Sequence, residues 1–482
     1  MYKSAFLAVV LAWGGAAAGA PIAAGAPAAA DAPAAAQAPA ASSAVRAQAR
    51  EIFAHIVGIE SSVGKGNVPA VADYLAKRFA AGGFPAADIH VLPLGETASL
   101  VVRYRGNGSG GRPIALIAHM DVVTAKREDW QRDPYTLIEE NGYFFGRGTS
   151  DVKQEVALLT TTFLTMKAQG YVPTRDLIIA FSGDEETEQA TARDLVSTHR
   201  DLVDAEFALN GDGGGGVLSE DTGKPQLFYV QGAEKSSAKF LLTTHNAGGH
   251  SSMPRADNAI YELADALKAV QHTEFPVMWN QWTLGDFKAA GAVTPGALGA
   301  AMTRFAANPH DAAAAAEISK NPAFVGRIRT TCVATMLTGG HAENALPQSA
   351  TATINCRIFP GTSAAEVQKT LQQSVGPKVE VKQGYEALVS DASPMRADVM
   401  NAVARAIAAA DPGARIVPTQ ASYATDGAVY RNAGIPTYGV GGVFFKDSEE
   451  FAHGLNERIR VDAFYDALTY WSVLIKSLAG GS

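Results

Sequence analysis

The chain of 482 residues has only two cysteines, Cys332 and Cys356. A Cys-rich structural zinc site needs more thiolates than that and is excluded. The two flank Asn344 symmetrically, as opposed positions on antiparallel strands would. Spacing leaves two states open, a disulfide or a pair of buried free thiols. Charge is sparse as well. Charged residues make up 18%, the formal net charge is −8 and no basic stripe occurs, which argues against a nucleic-acid partner. No run beyond the N-terminal segment is apolar enough to cross a bilayer. There is no G-x-S-x-G, and Ser182 precedes acids without a matching context, so a serine hydrolase lacks its signature. The glycines from Gly213 to Gly216 lack the Lys and Ser/Thr of a phosphate-binding loop. They read as a turn that lets the backbone pass close to something.

What is present suits a soluble globular protein, with 47% hydrophobic residues. The length favours two domains. Lys3 followed by the apolar Ala5 to Trp13 and the small residues Ala16-Ala17-Ala18 reads as a secretory signal peptide over residues 1–18. Residues 19–42 are nearly all Ala and Pro, a disordered tether. Export to the periplasm or beyond is the expectation, and there a disulfide would persist.

From residue 43 onward strand-like and helical patterns alternate, which predicts an α/β fold with a mostly parallel central sheet flanked by helices. After Gln231-Gly232 the character changes. Residues 234–384 read as an inserted, smaller α+β domain, so the first domain comprises residues 43–233 and 385–482. Within the insertion, Phe275 to Pro322 is Ala-rich and reads as weakly structured.

The chemistry gathers at the ends of apolar runs. Ile114 to Ala118 ends in His119-Met120-Asp121. In an open α/β sheet, ligands bind outside the carboxyl ends of such strands. Asp121 is placed to fix the His119 tautomer. Asp151 precedes an apolar-periodic helix, where an Asp on its own is simply a helix N-cap. Asp176 to Phe181 leads into Ser182-Gly183-Asp184-Glu185-Glu186. Adjacent residues of an extended chain face opposite ways, so Glu185 and Glu186 should have separate roles. Ala205 to Leu209 ends in Asn210-Gly211-Asp212. His453 stands in a loop before the last helix. Five carboxylates in one cleft repel by several kcal/mol at a protein-like dielectric. No Arg or Lys cluster lies nearby in sequence to offset them, and two divalent cations would. Imidazole with carboxylate suits zinc, although other divalent ions would serve.

H-M-D, G-R-G-x-x-D, D-E-E, G-G-H-S-S-x-P, N-x-L-P, N-C-R and the late H-G-x-N-E occur in this order. In these motifs the chain resembles the glutamate carboxypeptidase, aminoacylase and carboxypeptidase S family of dinuclear zinc hydrolases, metallopeptidase family twenty. The resemblance implies that His119 binds one zinc, Asp151 bridges both, and Glu186 and His453 complete the ligand shell of the second ion. The remaining ligand of the first ion is Asp212, with Asn210 the alternative. Asp121 would orient His119, Glu185 would be the general base and His250 would donate to the oxyanion. Asn344 and Arg357 would hold the free carboxylate of the substrate. His341 and the loop Thr425-Asp426-Gly427 would also line the cleft. The resemblance leaves room for a homodimer through the inserted domain, unless the Ala-rich stretch covers the edge that would pair.

The implied function is metal-dependent exopeptidase action on short peptides, of carboxypeptidase or dipeptidase type, with the two zincs activating a bridging water. An N-acyl-amino-acid amidohydrolase shares that chemistry and is the alternative. A non-catalytic peptide- or metal-binding protein is the third reading, and the presence of Glu185 speaks against it.

Overall fold

The computed structural model describes residues 39–385 and 387–481. The signal peptide and most of the tether lie outside the described residues. The fold opens with the helix Ser43–Val57, capped by the Ser42 hydroxyl, which accepts from Val45 N.

A ten-stranded sheet organises the molecule. Its heart is parallel: Ile114–His119 lies between Leu177–Ser182 and Phe207–Asn210, and Thr437–Gly439 continues beside the latter. One margin is antiparallel, with Ile89–Leu94 on Thr97–Tyr104 and the latter on Leu177–Ser182. Strand alternation divides the central strand between two cores. Ile114, Leu116 and Ala118 join the large core, while Ala115 and Ile117 join the opposite one. The helices Lys153–Ala168, Ala397–Ala410 and Val461–Ala479 supply the first layer, and Ala190–Ser197 and Gly427–Asn432 supply the second. A strand buried on both faces must be apolar throughout. This is why IALIA is unbroken and why the first polar residue, His119, falls at the strand end.

A second, four-stranded antiparallel sheet orders Thr331–Gly339, Ser349–Ile358, Ser236–His245 and Glu380–Gln383. One face buries Ala238, Phe240 and Leu242 against the helices Ala259–Gln271 and Ala364–Val375. The other face is left more open. Cys332 and Cys356 are directly opposed on adjacent strands and form a disulfide, which settles the state left open by spacing.

The Ala-rich stretch departs from expectation. It is folded into the helices Gln281–Gly291, Gly296–Ala307, Ala312–Ser319 and Pro322–Val325. Alanine has the highest helix propensity, and Asn280, Asp311 and Asn321 cap three of the four. Phe287, Met302, Phe305 and Ile318 give the block its own core. Trp282 belongs to the large core instead, donating its indole N–H to Ser393 O at 2.7 Å. The block therefore packs on the first sheet. It leaves the outer strand Thr331–Gly339 uncovered, with Val333, Met336 and Leu337 all exposed.

Candidate metal centre

Three parallel strand ends and two loops deliver the acidic edge to one place. His119 ends its strand and is 1% exposed. Its Nδ1 lies 3.1 Å from the Asp121 carbonyl oxygen and 3.4 Å from the Asp121 carboxylate. Nε2 points the other way, to Asp151 Oδ1 at 3.1 Å and Asp212 Oδ2 at 3.9 Å. Asp121 has a further task. Its two carboxylate oxygens accept from the backbone N–H groups of Glu185 and Glu186, at 3.1 and 3.0 Å. It thus ties the end of one strand to the turn after the next.

Asp151 does not cap the helix that follows. That helix starts at Lys153 with Val152 at the cap position and no side-chain cap bond. Asp151 instead stands between two imidazoles, with Oδ2 3.0 Å from His453 Nε2. The acids after Ser182 stand in a turn rather than on an extended strand, and they still take separate partners. Asp184 turns back to accept from Ala190 N and Thr191 N. Glu185 reaches toward His119, Oε2 lying 4.0 Å from Nε2. Glu186 Oε1 faces His453 Nε2 at 2.9 Å.

Two groups of side chains result, each with ligand atoms within 4.8 Å of one another: His119, Asp151 and Asp212, and Asp151, Glu186 and His453. Asp151 belongs to both. Asn210 belongs to neither. Its amide accepts from Asp212 N at 2.9 Å and donates to Thr425 Oγ1 at 3.1 Å, bracing the turn that carries Asp212.

The electrostatics of the cluster call for positive charge. Burial pushes the Asp212 carboxyl well above its ordinary value, with Asp151 and Asp426 adding to the rise and His119 opposing it. Burial likewise raises Glu185 well above the usual range, and Asp212 adds to it. Burial works to raise Asp151 too, but the hydrogen bonds from His119 and His453 outweigh it and hold that carboxyl low. The same contacts from Asp151 and Glu186 push His453 up to about 10. Imidazoles and carboxylates converging at these separations suit a divalent cation in each group, and their mutual repulsion is the charge such cations would neutralise.

The loop Thr425-Asp426-Gly427 is buried and supports the site from within. Asp426 accepts from the Ser182 hydroxyl, and Thr425 Oγ1 donates to Glu234 Oε2 at 2.9 Å. Burial pushes the Asp426 carboxyl up to about 7.

The inserted domain's candidates are placed apart from this cluster. His250 is exposed on a two-stranded ribbon, opposite Ala345, and its Nδ1 accepts from Ser252 N at 3.1 Å. Asn344 adjoins it through Ser251 N, which donates to the Asn344 carbonyl at 3.0 Å. His341 is exposed in the same loop. Arg357 is exposed on the open sheet face, opposite Ser237 and Thr331, with no ion pair among the described residues. None of the four has a hydrogen bond or ion pair to the metal-side acids among those described.

Two residues of quoted motifs carry more than was assigned to them. Arg147 and Glu457 form a buried ion pair beside Asp151 and His453. A charged residue inside a motif whose neighbour is a ligand was the available signal.

A family model described as peptidase family M20/M25/M40 matches residues 115–477. The human N-fatty-acyl-amino acid synthase/hydrolase is 26% identical over 401 residues, covering 79% of this chain and 77% of that protein. Among solved structures, an M20 family metallo-carboxypeptidase from Sulfolobus solfataricus superposes with a TM-score of 0.67 at 16% identity, over 90% of this chain and 99% of its own. Human carnosine dipeptidase 1 does so with a TM-score of 0.59 at 14% identity, over 90% and 98%. The two structures share the fold. The family match spans both strand-end groups and the inserted sheet, and on it the chain belongs to peptidase family M20/M25/M40, as a hydrolytic enzyme of that metal-dependent family.

Proposed function

We propose that the chain hydrolyses an amide or peptide bond next to a free carboxylate, as an exopeptidase on short peptides. The observation that carries this reading is the shared Asp151, which joins two ligand-like groups into one dinuclear geometry. His119 and Asp212 would hold the first ion with Asp151, and Glu186 and His453 the second. The donor set suits zinc. A pair of bound divalent ions supplies the positive charge that polarises a carbonyl and eases the ionisation of water.

This chain's own residues do the rest. Glu185 belongs to neither group and lies beside the first. From there it takes a proton from water and passes it to the leaving amine. Arg357 holds the substrate carboxylate and Asn344 assists it. His250 donates to the carbonyl oxygen as negative charge develops there. These three sit on the inserted domain, so domain closure completes the site.

The similarity to the human N-fatty-acyl-amino acid synthase/hydrolase favours a second reading, an N-acyl-amino-acid amidohydrolase. The two readings share every residue role. Export rests on the N-terminal pattern, and the Cys332–Cys356 bridge suits a periplasmic or secreted protein. The uncovered strand Thr331–Gly339, with its exposed Val333, Met336 and Leu337, supports a homodimer through the inserted domain.

The test is a substrate panel before and after stripping by chelator, with zinc alone added back. Unblocked dipeptides, N-acylated amino acids and C-terminally amidated peptides are compared. Hydrolysis should require metal and a free carboxylate. Activity that survives chelation, or equal rates on amidated substrates, would overturn the proposal. Turnover confined to N-acyl amino acids would select the second reading.

A further inference from the structure

Arg147 and Glu457 lie 310 positions apart and meet in the interior, with side chains 3% and 0% exposed. A buried ion pair adds little stability over a well-packed apolar pair, because desolvation offsets the attraction. Its use must then lie in what it holds. Glu457 Oε2 takes Arg147 Nη1 at 2.5 Å, and Oε1 accepts from Ser150 N at 2.7 Å and Asp151 N at 3.1 Å. Glu457 therefore grips the backbone of the acid common to both groups. The second arm of the guanidinium donates to the His453 carbonyl at 3.4 Å.

His453 needs such a hold. Its φ is +62°, a left-handed conformation that a side chain disfavours, and its imidazole is half exposed. The Arg147 backbone N–H is anchored on Pro134 O at 2.7 Å, and its guanidinium lies over the Trp130 ring, 5.1 Å from the centroid.

We infer that Arg147 and Glu457 are positioning residues with unequal reach: Glu457, through Asp151, governs binding at both ion sites, and Arg147, through His453, adds an effect at the second alone. This rests on the reading that the two groups hold ions. Partners behind metal ligands commonly matter by ~10–100-fold in affinity.

The experiment titrates metal-stripped protein with zinc chloride by calorimetry and with cobalt(II) by absorption. Urea unfolding of the stripped protein runs alongside. Wild type should bind two ions. Arg147→Lys keeps a charge against Glu457 but lacks the second arm. It should lose about tenfold or more in affinity for one ion and keep the other within about twofold. Glu457→Gln should weaken both. Arg147→Met also strands the buried Glu457 charge and should weaken both ions, so the one-site test is read from Arg147→Lys. If Arg147→Lys binds both ions as wild type does, or weakens both equally, the inference fails while the dinuclear reading stands. Lower urea stability with unchanged affinities has the same meaning. If wild type itself binds no pair of ions, the dinuclear reading fails first.

Discussion

His453 Nε2 stands 2.9 Å from Glu186 Oε1 across 267 positions of chain. One residue ends a strand-to-helix turn in the first half, and the other precedes the last helix. Their meeting requires that the chain leave the first sheet, build the second and return. The inserted domain is therefore carried between the two halves of one ion site.

The proposed role of Glu185 allows catalysis and metal binding to be tested separately. Glu185 is in neither ligand group, although its carboxylate lies 4.0 Å from His119 Nε2. Glu185→Ala should retain metal at the wild-type ratio and lose ~10²–10⁴-fold in kcat, the usual worth of a general base. Metal content by emission spectroscopy and steady-state kinetics check this together. Normal turnover in the variant would remove Glu185 from its role.

Glu155 should make stability fall toward neutral pH. It is 1% exposed and accepts from Gly442 N at 2.8 Å and Trp471 Nε1 at 2.6 Å. Burial pushes its pKa up to about 7, against those hydrogen bonds, from an ordinary 4.5. Between these values the folded chain keeps a proton that the unfolded chain has released. Its contribution is thus full below about 4.5 and lost as pH rises through about 7, amounting to about 3 kcal/mol. Glu155→Gln stays neutral throughout. The difference in urea stability between the two proteins should shift by that amount, in favour of Gln, from pH 4.5 to pH 8. A difference independent of pH would refute the assignment.

The bridge between Cys332 and Cys356 closes a loop with a sequence separation of 24. Opening it should destabilise the second sheet by about 3 kcal/mol through unfolded-chain entropy. Cys332→Ser with Cys356→Ser, compared with wild type in denaturant with and without reductant, measures this. Reductant should move the wild type toward the double variant and leave the variant unmoved.

Much of the site was legible because it obeys local rules. His119 stands where an unbroken apolar strand stops, whereas Glu185 and Glu186 take separate partners from a turn, which strand alternation does not govern. Asp212 was preferred over Asn210, and the structure turns Asn210 into the loop as a brace. The helices of residues 275–322 were missed. Their alanines carry strong helix propensity but a weak apolar period, and only the caps at Asn280, Asp311 and Asn321 marked the starts. Asp426 was placed at the cleft wall, yet it is buried beneath, bonded to Ser182. No local pattern distinguishes a lining loop from a supporting one.

By itself the sequence determined the residue types, the strand ends that display them and the excess of negative charge they create. These are local properties, fixed by side-chain period and by the need to bury apolar runs. Only the tertiary structure decided which acids share an imidazole, that the cysteines are bridged, and that Arg147 and Glu457 meet beside Asp151 and His453. Such contacts depend on how sheets close over hundreds of positions, and distances of a few ångströms between remote residues leave no mark in the order of the chain.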